Sequence, residues 1–241
     1  MGMRRSTTDL PRFIVNPVVA KHRIFCWRSS PTLAMNLLDV VARADDTTFG
    51  ILHSRFHELW SLRMGTWLGV GNDPRYTPTT CFETFPFPNG LSPADTASQH
   101  TELVAGGALI PAGLANSQHA TAIATTAKRL SDLREAWLNP PEWTQLVPEV
   151  IPLGMATSPY PDRIEPRPGI NEADLNALQK RTLTNLYNQR PAWLAMAHQQ
   201  LDDAVAAAYG WSDYTPAMSD DEILKRLLAL NLERSDDGNR R

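Results

Sequence analysis

Short apolar runs come first along this chain and helical stripes come later, and the change of period divides it. Phe13-Ile14-Val15, Val18-Val19-Ala20 and Ile24-Phe25-Cys26-Trp27 are runs of three or four, the length of buried strands. Pro17 sits between the first two and marks a turn or a sheet edge. Leu33, Leu37, Leu38 and Val41 fit a short helix or a strand, and periodicity does not separate the two. Asp45-Asp46-Thr47-Thr48 reads as a turn, and Phe49-Gly50-Ile51-Leu52 after it as a strand buried on both faces. Phe56, Leu59 and Trp60 then recur at helical spacing, with His57, Glu58 and Ser61 opposite. Ser54 is the expected N-cap, because its hydroxyl accepts an orphan helix N–H, and Gly65 is the expected stop. The chain therefore predicts a strand-to-helix corner at His53-Ser54-Arg55.

Beyond Pro88 the pattern changes. Residues 91–120 are rich in Gly, Pro, Ser and Ala and read as a linker with a marginal helix from Pro93 to Val104. Ile123, Ala127, Leu130 and Trp137 form one helical stripe, which Asn139-Pro140-Pro141 ends. Six prolines between 144 and 170 predict a long irregular connection. Asn171 caps a helix carrying Leu175, Leu178, Leu183 and Leu186, and Arg190-Pro191 breaks it. A second helix carries Trp193, Met196, Leu201, Ala204 and Ala208 and stops at Gly210; Ser219 and Glu222 form a capping box for a third. From Arg234 the tail is polar and expected to be disordered. The fold class is α+β: a β-rich part over 1–90, the linker, and a mainly helical part over 121–241.

Composition narrows the function. At 241 residues with 42% hydrophobic content, one large domain or two small ones can bury a core. No apolar run spans a bilayer, MGMRRSTTDL has no signal-peptide core, and Cys26 and Cys81 build neither a disulfide framework nor a metal spacing, so a reducing cytoplasm and no membrane are expected. The net charge of −3 argues against a uniformly basic nucleic-acid binder. The distribution is uneven, however: residues 1–88 carry ten Lys/Arg against seven Asp/Glu, residues 89–241 thirteen against nineteen. Phosphate contact therefore belongs to the amino-terminal third.

Arg12-Phe13-Ile14-Val15, Lys21-His22-Arg23, Leu52 to Trp60 (LHSRFHELW), Arg75-Tyr76-Thr77-Pro78 and Glu83 to Pro88 (ETFPFP) together resemble the target-recognition part of the MmeI-like adenine-specific DNA methyltransferases, the single-chain enzymes of restriction–modification systems. Leu186-Tyr187-Asn188, Arg190-Pro191, Leu201-Asp202 and Ala208 to Trp211 extend the resemblance downstream. It implies a DNA-recognition module that partners double-stranded DNA and a methyltransferase catalytic domain or subunit. The catalytic domain precedes this region in that family. S-adenosylmethionine is expected for the intact enzyme and no cofactor for this chain, which is expected to be inactive alone.

The candidate DNA contacts are Lys21, Arg23, Arg28, Arg55, Arg63 and Arg75 for phosphates or guanine, with Ser54, His57, Tyr76 and Thr77 as hydrogen-bonding partners. Each has a plainer reading. Lys21-His22-Arg23 also suits a solvated hairpin tip, and Tyr76 a structural role. Phe85-Pro86-Phe87-Pro88 suits an internal clamp, and the tryptophans suit core packing. His53 and His57 have i, i+4 spacing but no visible third zinc ligand. Asn139-Pro140-Pro141-Glu142 lacks the aromatic residue of a methyltransferase loop, and Gly69-x-Gly71 follows a helix instead of a strand, so helix termination and a turn are favoured. A structural or protein-docking subunit without DNA contact is the alternative function. A hydrolase using His57 and Glu58 has little behind it.

Overall fold

The computed structural model describes residues 6–30, 32, 34, 37–68, 73–96, 99–114 and 116–239. The Gly69-x-Gly71 turn and Leu33 lie outside them. β1 (Arg12–Pro17) is the centre of a three-stranded antiparallel sheet, between β2 (Cys26–Ser29) and β3 (Leu38–Val41). Phe13, Ile14, Val15 and Asn16 are all buried, as a central strand covered on both faces requires. Past Pro17 the chain leaves this sheet and Val19 bridges to Arg75. Arg75 belongs to β5 (Asp73–Arg75), which pairs with β4 (Thr66–Leu68) in a small antiparallel ribbon.

The expected strand at Phe49–Leu52 is a helix, α1 (Asp46–His53), and all eight of its residues are buried. A helix covered on every side shows no amphipathic period, so its apolar run is indistinguishable from a strand. The acidic run read as a turn is its amino terminus: the Asp45 side chain accepts the Thr48 N–H at 2.7 Å. The corner at Ser54 therefore joins two helices. Ser54 caps α2 (Arg55–Met64) as expected, with Gly65 at its end. A Cβ on Gly65 would stand 2.6 Å from the carbonyl oxygens of Ser61 and Arg75, so close approach requires glycine there. A short helix, α3 (Pro78–Cys81), follows the ribbon.

The stretch read as a linker holds a hairpin, β6 (Thr101–Leu103) and β7 (Leu109–Pro111), where a marginal helix was expected. Ala108 and Ile110 are fully buried, and the Leu109 N–H donates to Asp46 Oδ2 at 2.7 Å, which ties the hairpin to α1. The stripe at Ile123, Ala127 and Leu130 is the buried face of α4 (Gln118–Leu138). The proline-rich connection is partly ordered as a second hairpin, β8 (Thr144–Val147) and β9 (Arg163–Pro166); Pro166 sits at its end.

The expected helix from Asn171 to Leu186 is two: α5 (Glu172–Gln179) and α6 (Leu183–Gln189), the latter capped by Thr182. Arg190, at φ 43°, breaks the chain before α7 (Ala192–Ala208). Ser219 Oγ accepts the Glu222 N–H at 3.3 Å, and Glu222 turns to Arg226, so only half of the capping box forms. The polar tail is helical as far as Asn239, within α8 (Asp220–Asn239), and Arg234 donates to the Phe87 carbonyl. Tyr209 donates to the Pro86 carbonyl at 2.9 Å, and Phe85 and Phe87 are buried, so Phe85–Pro88 is the internal clamp its sequence suggests.

α1, α4 and α7 pack side by side around Gly50. A Cβ there would lie 2.7 Å from Ile123 Cγ2, 2.8 Å from Ala127 Cβ and 3.1 Å from Leu201 Cδ1. Ala127 Cβ moves only with its backbone. Gly50→Ala is therefore predicted to destabilise the fold by about 1–3 kcal/mol despite its better helix propensity, read as a lowered urea midpoint. An unchanged or raised midpoint would show that the three helices are not in this contact.

Candidate nucleic-acid interface

Residues Val18–Ala20 and β5 hold each other through backbone bonds: Tyr76 N–H donates to the Val18 carbonyl at 2.8 Å and Ala20 N–H to the Pro74 carbonyl at 3.5 Å. Thr66 is opposite Arg75, and Leu68 opposite Asp73. Directly paired antiparallel residues project to the same side. Val19, Thr66, Leu68, Asp73 and Arg75 therefore share one face of the ribbon, and all five are exposed. Arg63, in the last turn of α2, is exposed just ahead of β4. Lys21, exposed two residues beyond the Val19–Arg75 bridge, donates to Asn188 Oδ1 at 2.7 Å and retains further N–H groups. Arg28 is exposed on β2.

The remaining candidates are engaged inside the protein. Arg23 is only 5% exposed and donates to the Pro74 carbonyl, holding the ribbon from beneath. Burial lowers its pKa. Ser54 and His57 have no exposure and Tyr76 has 2%. His57 Nδ1–H donates to the Leu52 carbonyl at 3.0 Å, and Nε2 accepts the Tyr76 hydroxyl at 3.1 Å. A neutral ring with both nitrogens occupied offers nothing to zinc, to a hydrolytic water or to a base edge. Arg55 donates to the Met218 carbonyl and to Asp220, and Thr77 is half-buried with its N–H directed to Cys81 Sγ. Arg23, Ser54, His57 and Tyr76 are thus corrected from surface contacts to supports. A guanidinium or imidazole serves either purpose, and the sequence does not say which way it points.

Other residues were missed. Trp67 is the most exposed of the seven tryptophans, at 51%, because it lies on a three-residue strand and not on a packed helix face. Leu68 and Asp73 share that ribbon; three-residue strands are too short to show alternation. Arg134 is 5% exposed. Its signal was present: it falls four residues after Leu130, in the apolar stripe of α4.

An α+β module with a basic-edged antiparallel ribbon is the class these features define. Residues 7–89 match the MmeI target recognition domain, a span that includes all ten candidate residues. The fold resembles the solved structure of the Type IIL restriction-modification enzyme MmeI in complex with DNA, at a TM-score of 0.58 and 16% identity over 94% of this chain. The likeness covers 22% of that protein, so this chain spans about a fifth of its length. No curated protein matches the chain.

Burial holds the His57 pKa down, at about 3. Unfolded, the ring titrates near 6.5, so below that pH the unfolded chain binds the extra proton. His57 stabilises fully above pH 6.5, and its contribution falls by about 1.4 kcal/mol per pH unit as pH drops toward 3. His198, also held at about 3 by burial, acts in the same sense; Asp202, raised to about 7 by burial, acts oppositely between its unfolded pKa and that value. Denaturation at stepped pH is predicted to show the acid limb of wild type steeper than that of His57→Gln by one proton. Parallel limbs would exclude the linkage.

Proposed function

We propose that this chain is a DNA sequence-recognition module, part of a site-specific adenine-N6 DNA methyltransferase of a restriction–modification system, with catalysis carried by another domain or subunit. The match of residues 7–89 to a target recognition domain carries this reading, because that span contains the exposed ribbon. The ribbon face combines a guanidinium, a carboxylate, a hydroxyl and two aliphatic groups. Those are the groups that meet guanine, cytosine and the thymine methyl in a major groove, which admits a two-stranded ribbon. Lys21, Arg28 and Arg63 would hold phosphates beside it, and Arg75 the base edge. Residues 1–90 would form part of the recognition domain, with the helices of 121–241 as scaffold.

S-adenosylmethionine would be held by the catalytic portion. The sheets among the described residues are antiparallel, and a dinucleotide-type crevice needs parallel strands and a glycine-rich turn. These residues do not fit the cofactor. No helix among the described residues is long and apolar enough to cross a membrane.

A second surface suits the catalytic portion. Leu146 and Ile164 are cross-strand partners on the β8–β9 hairpin and are 68% and 45% exposed. Val150, Ile151, Leu153, Met155 and Tyr160 between them are exposed as well. Asp132 and Glu135 rim the cleft that this hairpin forms with α4. Arg167 lines the cleft too, so its rim is of mixed charge, and an exposed apolar surface of this kind fits a polypeptide. The docking-subunit reading rests on the same patch and does without the ribbon.

Fluorescence anisotropy with a labelled duplex at stepped salt separates the readings. Wild type is predicted to bind duplex, with affinity falling as salt rises. Lys21→Ala and Arg63→Ala should each reduce the slope of log K against log salt by roughly 0.9. No duplex binding at low salt would leave only the docking role. Arg23 and Arg55 are unsuitable for the test, because substitution there removes internal support.

A further inference from the structure

We infer that the cleft between β2 and α4 is a binding site for a phosphate-type oxyanion, with Arg134 at its base. The cleft has a volume of about 320 Å³ and is lined by Trp27, Arg28, Ser131 and Arg134 among others. Arg134 is a buried guanidinium without a carboxylate partner among the described residues. Its hydrogen-bond contacts are His53 Nε2 at 2.9 Å, the Phe25 carbonyl at 3.1 Å and Cys26 Sγ at 3.5 Å, and its guanidinium lies 5.8 Å from the centre of the Tyr187 ring. None carries a compensating charge. His53 Nε2 stands 2.7 Å from the Phe25 carbonyl oxygen and 3.0 Å from the Phe25 nitrogen, and burial holds the pKa of the ring well below its ordinary value, so the ring is neutral. A buried cation is ordinarily paired, since an isolated one loses its hydration without compensation.

Two residues of the lining also keep a donor unmet behind the cleft wall. Arg134 Nε and Trp27 Nε1 are out of water and have no hydrogen-bond partner. The guanidinium charge of Arg134 beneath this wall, answered by no carboxylate, favours an occupant that is an anion with several acceptor oxygens. Arg28, exposed at the rim, supplies a second guanidinium, and the Ser131 hydroxyl a further donor. Glu135, the carboxylate on the lining, accepts from Asn139 Nδ2 at 2.6 Å. On the other side of Arg28 a second hollow of about 280 Å³ is lined by Lys21 and His22. That hollow is lined mainly by apolar side chains, with Arg28, Lys21 and His22 as its basic members. A tetrahedral oxyanion suits guanidinium donors arriving from two directions. Its source is either a phosphate of the nucleic-acid backbone or a free phosphorylated small molecule.

The test uses the whole chain and inorganic phosphate, followed by thermal unfolding at ionic strength matched with chloride. Phosphate in the millimolar range is expected to raise Tm by a few degrees where chloride does not, as ligand linkage requires. The shift should fall at least severalfold in Arg28→Ala and in Ser131→Ala, both of which leave the Arg134 contacts to His53 and Phe25 in place. Equal shifts with phosphate and chloride, or a phosphate shift unchanged in both variants, would overturn the inference whether or not the chain binds DNA. A duplex arm then separates the sources. Phosphate that competes with duplex, together with weaker duplex binding by Ser131→Ala, assigns the site to the backbone. A phosphate shift that duplex does not compete for assigns it to a small phosphorylated ligand.

Discussion

A helix buried on all sides must still satisfy both of its ends, and most of this structure follows from how α1 does so. At the amino end Asp45 accepts the Thr48 N–H and is itself held by Arg43. At the carboxyl end Ser54 donates to the Ile51 carbonyl at 2.7 Å and caps the next helix through the His57 N–H. One small hydroxyl closes one helix and opens another, so the chain turns without exposing backbone groups. The Arg55 N–H, another orphan at that corner, donates to Asp202 Oδ1 of α7 at 2.8 Å. The corner is thereby fixed to the carboxy-terminal helices.

That fixed corner sets the ribbon. His57, one turn into α2, holds the Tyr76 hydroxyl, and Tyr76 directly follows β5. Arg23 lies over the Tyr76 ring at 5.4 Å and holds the carbonyl of Pro74. The aromatic rings of Phe25, His57, Tyr76 and Phe85 pack edge to face or tilted around this point. The exposed face of the ribbon stands on this network. Its buried histidines stay neutral because a charge there would be unsolvated.

How much of this was legible depends on whether each element met water. The helices from Asn171 onward face solvent on one side, so period, caps and the Arg190-Pro191 break marked them; what the pattern missed was the Thr182 cap that divides α5 from α6. α1 meets no water and carried no period, which is why Phe49–Leu52 read as a strand. The β8–β9 hairpin was hidden by its prolines, although Pro166 ends a strand where no further ladder bond is needed. For the interface, the right segment was visible and the orientations were not. LHSRFHELW is distinctive because it forms the buried corner, where His53, Ser54, Arg55 and His57 make hydrogen bonds within the fold.

Burial therefore sorts the cations of the amino-terminal part better than residue type does. Arg43 is buried and paired with Asp45, so its charge is answered within the fold. Arg12 likewise pairs with Asp46, with its guanidinium 3.7 Å from the centre of the Trp27 ring. Arg63 and Arg75 are exposed and make no ion pair among the described residues, which leaves their charge for something outside. Arg134 fits neither group: it is as buried as Arg43, yet its partners are a neutral imidazole, a carbonyl and a thiol. Arg23 is as buried and also makes no ion pair among the described residues, but it lies beneath the ribbon against the Pro74 carbonyl, whereas Arg134 lines an open cleft, which leaves a place for a negative charge from elsewhere.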